Sequence, residues 1–128
     1  MAKKILQVVE TAYRATLEEQ DDTVVWLTHA MKGAGGDFSL LLRGNAVYYA
    51  ARGQDASGLA FGERRQTRPP RLAEDVVKLA AKGVDVFFVR EDARERGLGA
   101  QALIPEVKPV SRGELPRLFE SHDMVWHW

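Results

Sequence analysis

Residues 72–92 read Leu72-Ala-Glu-Asp-Val-Val-Lys-Leu-Ala-Ala-Lys-Gly83, then Val84-Asp-Val-Phe-Phe-Val89, then Arg90-Glu-Asp92. Leu72, Val76, Leu79 and Ala80 share one face at helical spacing, which predicts a helix over 72–82 with Gly83 suited to its C-cap. Residues 84–89 are nearly all apolar, as a strand covered on both faces should be. A helix feeding a doubly covered strand is the unit of a parallel sheet, and the same rhythm runs outward in both directions. Upstream, branched residues predict a strand over 4–10. Asp21 and Asp22 offer N-cap oxygens for a helix through Lys32, with Val24, Val25, Leu27, Ala30 and Met31 as its apolar stripe. Gly33, Gly35 and Gly36 stop that helix. A second strand follows over 37–43, then a short helix over 46–52 closed by Gly53. Downstream come a short helix over 91–96, a strand over 107–110 and a helix to Ser121, opened by Ser111-Arg-Gly-Glu114 at capping-box spacing. The last strand spans 124–128. Residues 11–20 have helix formers but a weak apolar face, and read as a loop with one helical turn. Residues 54–71, rich in Gly, Ser, Gln and Arg, read as a mobile excursion within a single domain spanning 1–128. The expected fold is therefore a three-layer α/β/α domain on a five-stranded parallel sheet with right-handed crossovers.

Composition narrows the chemistry. The 128 residues carry 18 Lys plus Arg against 18 Asp plus Glu, so whole-molecule attraction to nucleic acid or an anionic membrane is not expected. The basic cluster Arg64, Arg65, Arg68 and Arg71 lacks interleaved aromatics and reads as a solvated loop. No segment approaches the ~20 apolar residues of a membrane span, and no signal peptide is evident at the N-terminus, so the expected location is the cytoplasm. The chain has no cysteine, which excludes disulfides, thiolate nucleophiles and Cys-ligated metal. His29, His122 and His127 lack metal-site spacing and read as structural; no metal or cofactor is expected.

Ligands of open parallel sheets sit at the carboxyl ends of the strands. That rule singles out three loops, Thr11–Tyr13, Gly44-Asn45 and Arg90–Asp92, of which the last two carry candidate ligand chemistry. Gly44-Asn45-Ala46 follows a strand and opens a helix, so its backbone N–H groups could hold an anion; equally, Asn45 could serve as the N-cap. Arg90 and Glu91 follow the third strand. Arg90 could clamp an anion and Glu91 could move a proton, or both could belong to a solvated helix start. By contrast, Gly33-Ala-Gly-Gly36 follows a helix and precedes a strand, the wrong order for a phosphate cradle. Tyr48, Tyr49, Trp126 and Trp128 read by default as core residues and are also the candidates for a subunit interface.

The succession Lys4-Ile-Leu-Gln-Val-Val9, Leu41-Leu-Arg-Gly-Asn-Ala-Val47, Gly83-Val-Asp-Val-Phe-Phe-Val89, Ala93-Arg-Glu-Arg-Gly-Leu98 and Ser111-Arg-Gly-Glu-Leu115 resembles the DsrE/DsrF/DsrH-like family, which includes the Tus-type sulfur-relay subunits. The resemblance spans nearly the whole chain and rests on the order of motifs that are individually weak. It implies the same three-layer fold, assembly as trimers or hexamers, and transfer of persulfide sulfur between proteins. The family's sulfur-carrying cysteine falls where this chain reads Val89-Arg-Glu-Asp92. Without a thiolate, this chain cannot hold a persulfide. The resemblance therefore implies a non-carrier subunit, structural or regulatory, that forms homo-oligomers or joins cysteine-bearing relatives. The alternative is a small anionic-ligand binder or enzyme using Asn45, Arg90 and Glu91.

Overall fold

A computed structural model describes residues 3–13 and 22–128. The suggested helical turn within 11–20 and the capping role of Asp21 fall mainly on residues outside that set. The main strands are β1 (Lys4–Val9), β2 (Asp37–Leu42), β5 (Asp85–Val89), β6 (Lys108–Val110) and β7 (Met124–His127). They form one sheet in the order β6-β5-β2-β1-β7, and every neighbouring pair is parallel. β3 (Ala60–Phe61) and β4 (Arg64–Arg65) form a separate antiparallel hairpin, so the 54–71 excursion contains regular structure of its own. Gly62 turns this hairpin at φ 63°, a backbone state that favours glycine.

Side chains alternate across the strands and build two cores. On one face, Val9, Leu40, Leu42, Val86 and Phe88 pack beneath α1 (Thr23–Gly33) and α2 (Leu72–Ala81). On the other, Leu6, Val8, Leu41, Val89 and Val110 meet Leu115, Leu118 and Phe119 of α4 (Leu115–Glu120). Among the described residues the second face thus has a much thinner cover. α3 (Arg90–Glu95) starts directly from β5 and is followed, after Arg96, by Gly97 at φ 74°.

The caps follow the sequence in part. Asp22 Oδ1 accepts from the Val24 and Val25 amides at 2.9 and 3.2 Å, as expected of an N-cap. Glu114 Oε1 accepts from the Ser111 amide and hydroxyl, but the turn it closes is a 3₁₀ turn, Arg112–Glu114, that leads into α4. The short helix expected over 46–52 is a 3₁₀ helix over Gly44–Ala50. Its N-cap position belongs to Arg43, so Asn45 does not cap it.

That 3₁₀ geometry settles the two tyrosines. Its three-residue period stacks Ala46 on Tyr49 and Val47 on Ala50, all four fully buried, while Asn45 and Tyr48 fall on the outer ridge. Tyr49 has no exposed surface, so it serves the protomer's core and not an interface. Its hydroxyl donates to Asp22 Oδ2 at 2.6 Å and accepts from the Tyr13 amide. Tyr13 itself sits at φ 61°, and its ring meets Tyr49 edge-on.

A second buried polar link crosses the α1 face. Gln7, in the middle of β1, donates to Thr28 Oγ1 at 3.1 Å and accepts from Trp128 Nε1 at 2.6 Å. Trp126, on the same face as Trp128, packs edge-on against Phe38.

Tyr49→Phe removes the hydroxyl that joins the cap of α1 to the segment after β1. Losing one partner of a buried carboxylate costs about 1–3 kcal/mol. The expected outcome is a lower denaturant midpoint with an unchanged far-UV spectrum; an unchanged midpoint would contradict this role.

Candidate functional site

Because all five strands run in parallel, their carboxyl ends meet along one edge of the sheet. Glu10 leaves β1, Arg43 and Gly44 leave β2, Arg90 to Asp92 leave β5, Ser111 and Arg112 leave β6, and Trp128 follows β7. A sheet edge of this kind offers backbone N–H groups to an anion.

Here that anion is a side chain of the protein. The Gly44 N–H donates to Asp92 Oδ2 at 2.8 Å. Asp92, only 8% exposed, also pairs with the Arg112 guanidinium. Arg112 reaches Glu95 Oε1 at 2.8 Å through the same nitrogen, and its backbone N–H donates to Glu91 Oε2 at 2.6 Å. Three strand ends are therefore tied together: β2 through Gly44, β5 through Asp92 and β6 through Arg112. Gly44 stands at φ 56°, and a Cβ there would meet the Glu10 carbonyl at 3.5 Å. The space is ordinary, so the backbone angle is what favours glycine.

Burial pushes the Asp92 carboxyl up, but the Gly44 amide and the Arg112 guanidinium outweigh it and hold it below the usual carboxylate range. The hydrogen bonds that Arg112 donates to Asp92 and Glu95 raise it above its ordinary value, so it is charged at every working pH.

The sequence candidates separate. Gly44 is in this network as a donor to Asp92. Asn45 Oδ1 accepts from Arg96 Nε at 3.0 Å, and Arg96 in turn donates to the Asp92 carbonyl. Glu91 accepts from the Arg112 amide. Arg90 faces elsewhere. It lines a cleft of about 290 Å³ with Phe88, Ala93, Arg94, Leu98 and Pro109, whose lining includes neither Asn45 nor Glu91. The single pocket expected of Asn45, Arg90 and Glu91 is thus divided. Asp92, Arg96 and Arg112 are the residues that sequence reasoning missed. Asp92 lies in the stretch it singled out, whereas Arg112 lies 20 residues further on and carried only a capping-box signal.

A second charged group sits at the β7 side of the edge. Glu10 Oε1 lies 3.2 Å from Arg43 Nε and 3.1 Å from His127 Nε2. These groups are well exposed, so the contacts contribute little individually. Among the described residues, no group of three or more His, Asp or Glu side chains is arranged to hold a metal. Nor is any helix among them long and apolar enough to cross a membrane.

Asp92→Asn keeps the side chain's shape and removes its charge. A carboxyl with a depressed folded value adds stability above its unfolded value, about 3.9, and that stability is lost as pH falls through the folded value. The wild type should lose stability over this acid range more steeply than Asp92→Asn, with the gap between them closing only once pH has fallen through the depressed folded value. Parallel pH–stability curves in thermal unfolding would contradict the assignment.

No family model matches the chain, and no curated protein does. Solved structures share its fold. The YchN protein from E. coli superposes with a TM-score of 0.74 at 21% identity, over 100% of both chains. The protein of unknown function MTH1491 from Methanobacterium thermoautotrophicum superposes with a TM-score of 0.63 at 13% identity, over 97% of this chain and 98% of that one. The chain therefore has the YchN-like α/β fold, a five-stranded parallel sheet flanked by helices, over its full length.

Proposed function

We propose that this chain is a non-carrier subunit of intracellular sulfur trafficking, acting in the cytoplasm by assembly with itself or with a cysteine-bearing relative of the same fold. The observation that carries this reading is the state of the strand-end edge. The chain keeps a DsrE-like motif order and a YchN-like fold, yet it has no cysteine, and its Gly44 amide is filled by Asp92. Persulfide transfer needs a thiolate to hold the moving sulfur, and none is present. A structural or regulatory part in the relay is what such a subunit retains.

A second reading rests on the Arg90 cleft. Two guanidinium groups, Arg90 and Arg94, border an apolar floor, a setting for a small anion with an apolar body. Arg90→Ala should then weaken binding of any small mass retained by the purified protein at least tenfold. Unchanged retention would end this reading.

Native mass spectrometry of the protein gently purified from its own cells tests the first reading. The expected species contains a cysteine-bearing relative in a fixed ratio. Failure of the chain, alone or as a homo-oligomer, to bind any cysteine-bearing relative from the same cells would overturn the trafficking role.

A further inference from the structure

The outer edge of the sheet at β7 is unpaired among the described residues, because β7 bonds only to β1. The Trp128 N–H donates to the Val8 carbonyl at 2.9 Å, and the Trp128 carbonyl accepts from the Glu10 N–H at 3.3 Å. In a parallel ladder alternate residues face the partner, so Met124 and Trp126 also address β1. Val125 and His127 then direct their N–H and C=O groups away from the sheet. The strand is short but carries none of the lysines or prolines that usually blunt a free edge. Its side chains are apolar and open: Met124 is 40% exposed, Val125 43% and Trp128 44%.

This edge is complementary to itself. An antiparallel copy centred on Trp126 pairs Val125 with His127 of the second copy, and His127 with its Val125. Those two are hydrogen-bonded pairs, so all four outward groups on each strand are satisfied. The same register sets Trp126 against its own copy in the non-hydrogen-bonded position and Met124 against Trp128. The three exposed or half-exposed apolar side chains on the α1 face thus all meet apolar partners. We propose that β7 is a two-fold interface with a second copy of this chain, joining two five-stranded sheets into one of ten strands. The proposal deepens the assembly part of the reading above by naming the face and the partner, and it also answers what Trp126 and Trp128 serve.

A chain without cysteine makes the register directly testable, since any introduced thiol is unique. Opposed residues in a non-hydrogen-bonded antiparallel pair lie about 4.5 Å apart between Cα atoms, within disulfide range. Under mild oxidation of the purified full chain, Trp126→Cys should form a disulfide-linked dimer. Met124→Cys alone should not, but mixed with Trp128→Cys it should. Because Trp126 packs on Phe38, the mixed pair at open positions decides the register if Trp126→Cys does not fold. Val125→Lys places a charge at the edge and should halve the mass seen by light scattering, with the circular dichroism spectrum unchanged. An unaltered mass for Val125→Lys, or self-crosslinking of Met124→Cys as fast as the mixed pair, would overturn the proposal. A two-fold dimer without any cysteine-bearing relative in the cell would keep this interface and remove the trafficking role. A relative that co-purifies while Val125→Lys leaves the mass unaltered would do the reverse.

Discussion

Five parallel strands deliver their ends to one edge, and the Asp92 carboxylate is where three of those ends are joined. Its oxygens accept from the Gly44 backbone after β2 and from Arg112 after β6, while its own backbone begins α3 after β5. Such an edge concentrates unpaired N–H groups that attract an anion. The Asp92 carboxylate, supplied from within, accepts from one of them, the Gly44 N–H, and the flanking Arg112 offsets its burial. The edge that in a parallel sheet commonly receives a ligand is here part of the protein's own framework.

The two faces of the sheet divide the remaining work. The α1 and α2 face holds most of the core and carries the buried polar links through Gln7 and Tyr49. These links fix the phase of β1 and the start of α1, because a slip of one residue would strand a buried amide or carboxylate. Among the described residues, the opposite face is covered by one six-residue helix, α4. Coverage therefore thins towards β7, where Val125 and His127 stand open on that face and Trp128 on the other.

Much of the framework was legible in the residues. The period of 72–82, the apolar run before Arg90 and the Asp22 cap each reflect short-range rules, and each lies within a residue or two of its expected place. The site was legible in position and less so in membership. Asn45 was read as a cap or anion holder, but its partner Arg96 lies 51 residues away, and no local pattern announces such a bond. Asp92 and Glu91 are adjacent carboxylates of the same helix start. Only the placement of β6 beside β5 brings Arg112 to both, one through its guanidinium and the other through its backbone. Tyr48 and Tyr49 are likewise adjacent, and the 3₁₀ period, tighter than the helix expected there, is what turns one outward and the other in.

The most direct test of the internally filled edge is the Gly44 amide signal followed by two-dimensional NMR across an acid titration. An amide bonded to Asp92 should shift with a midpoint below the ordinary carboxylate value of about 3.9, and should ignore added phosphate or thiosulfate at neutral pH. A Gly44 amide indifferent to acid, yet moved by millimolar anion at neutral pH, would show an open ligand site and contradict the account.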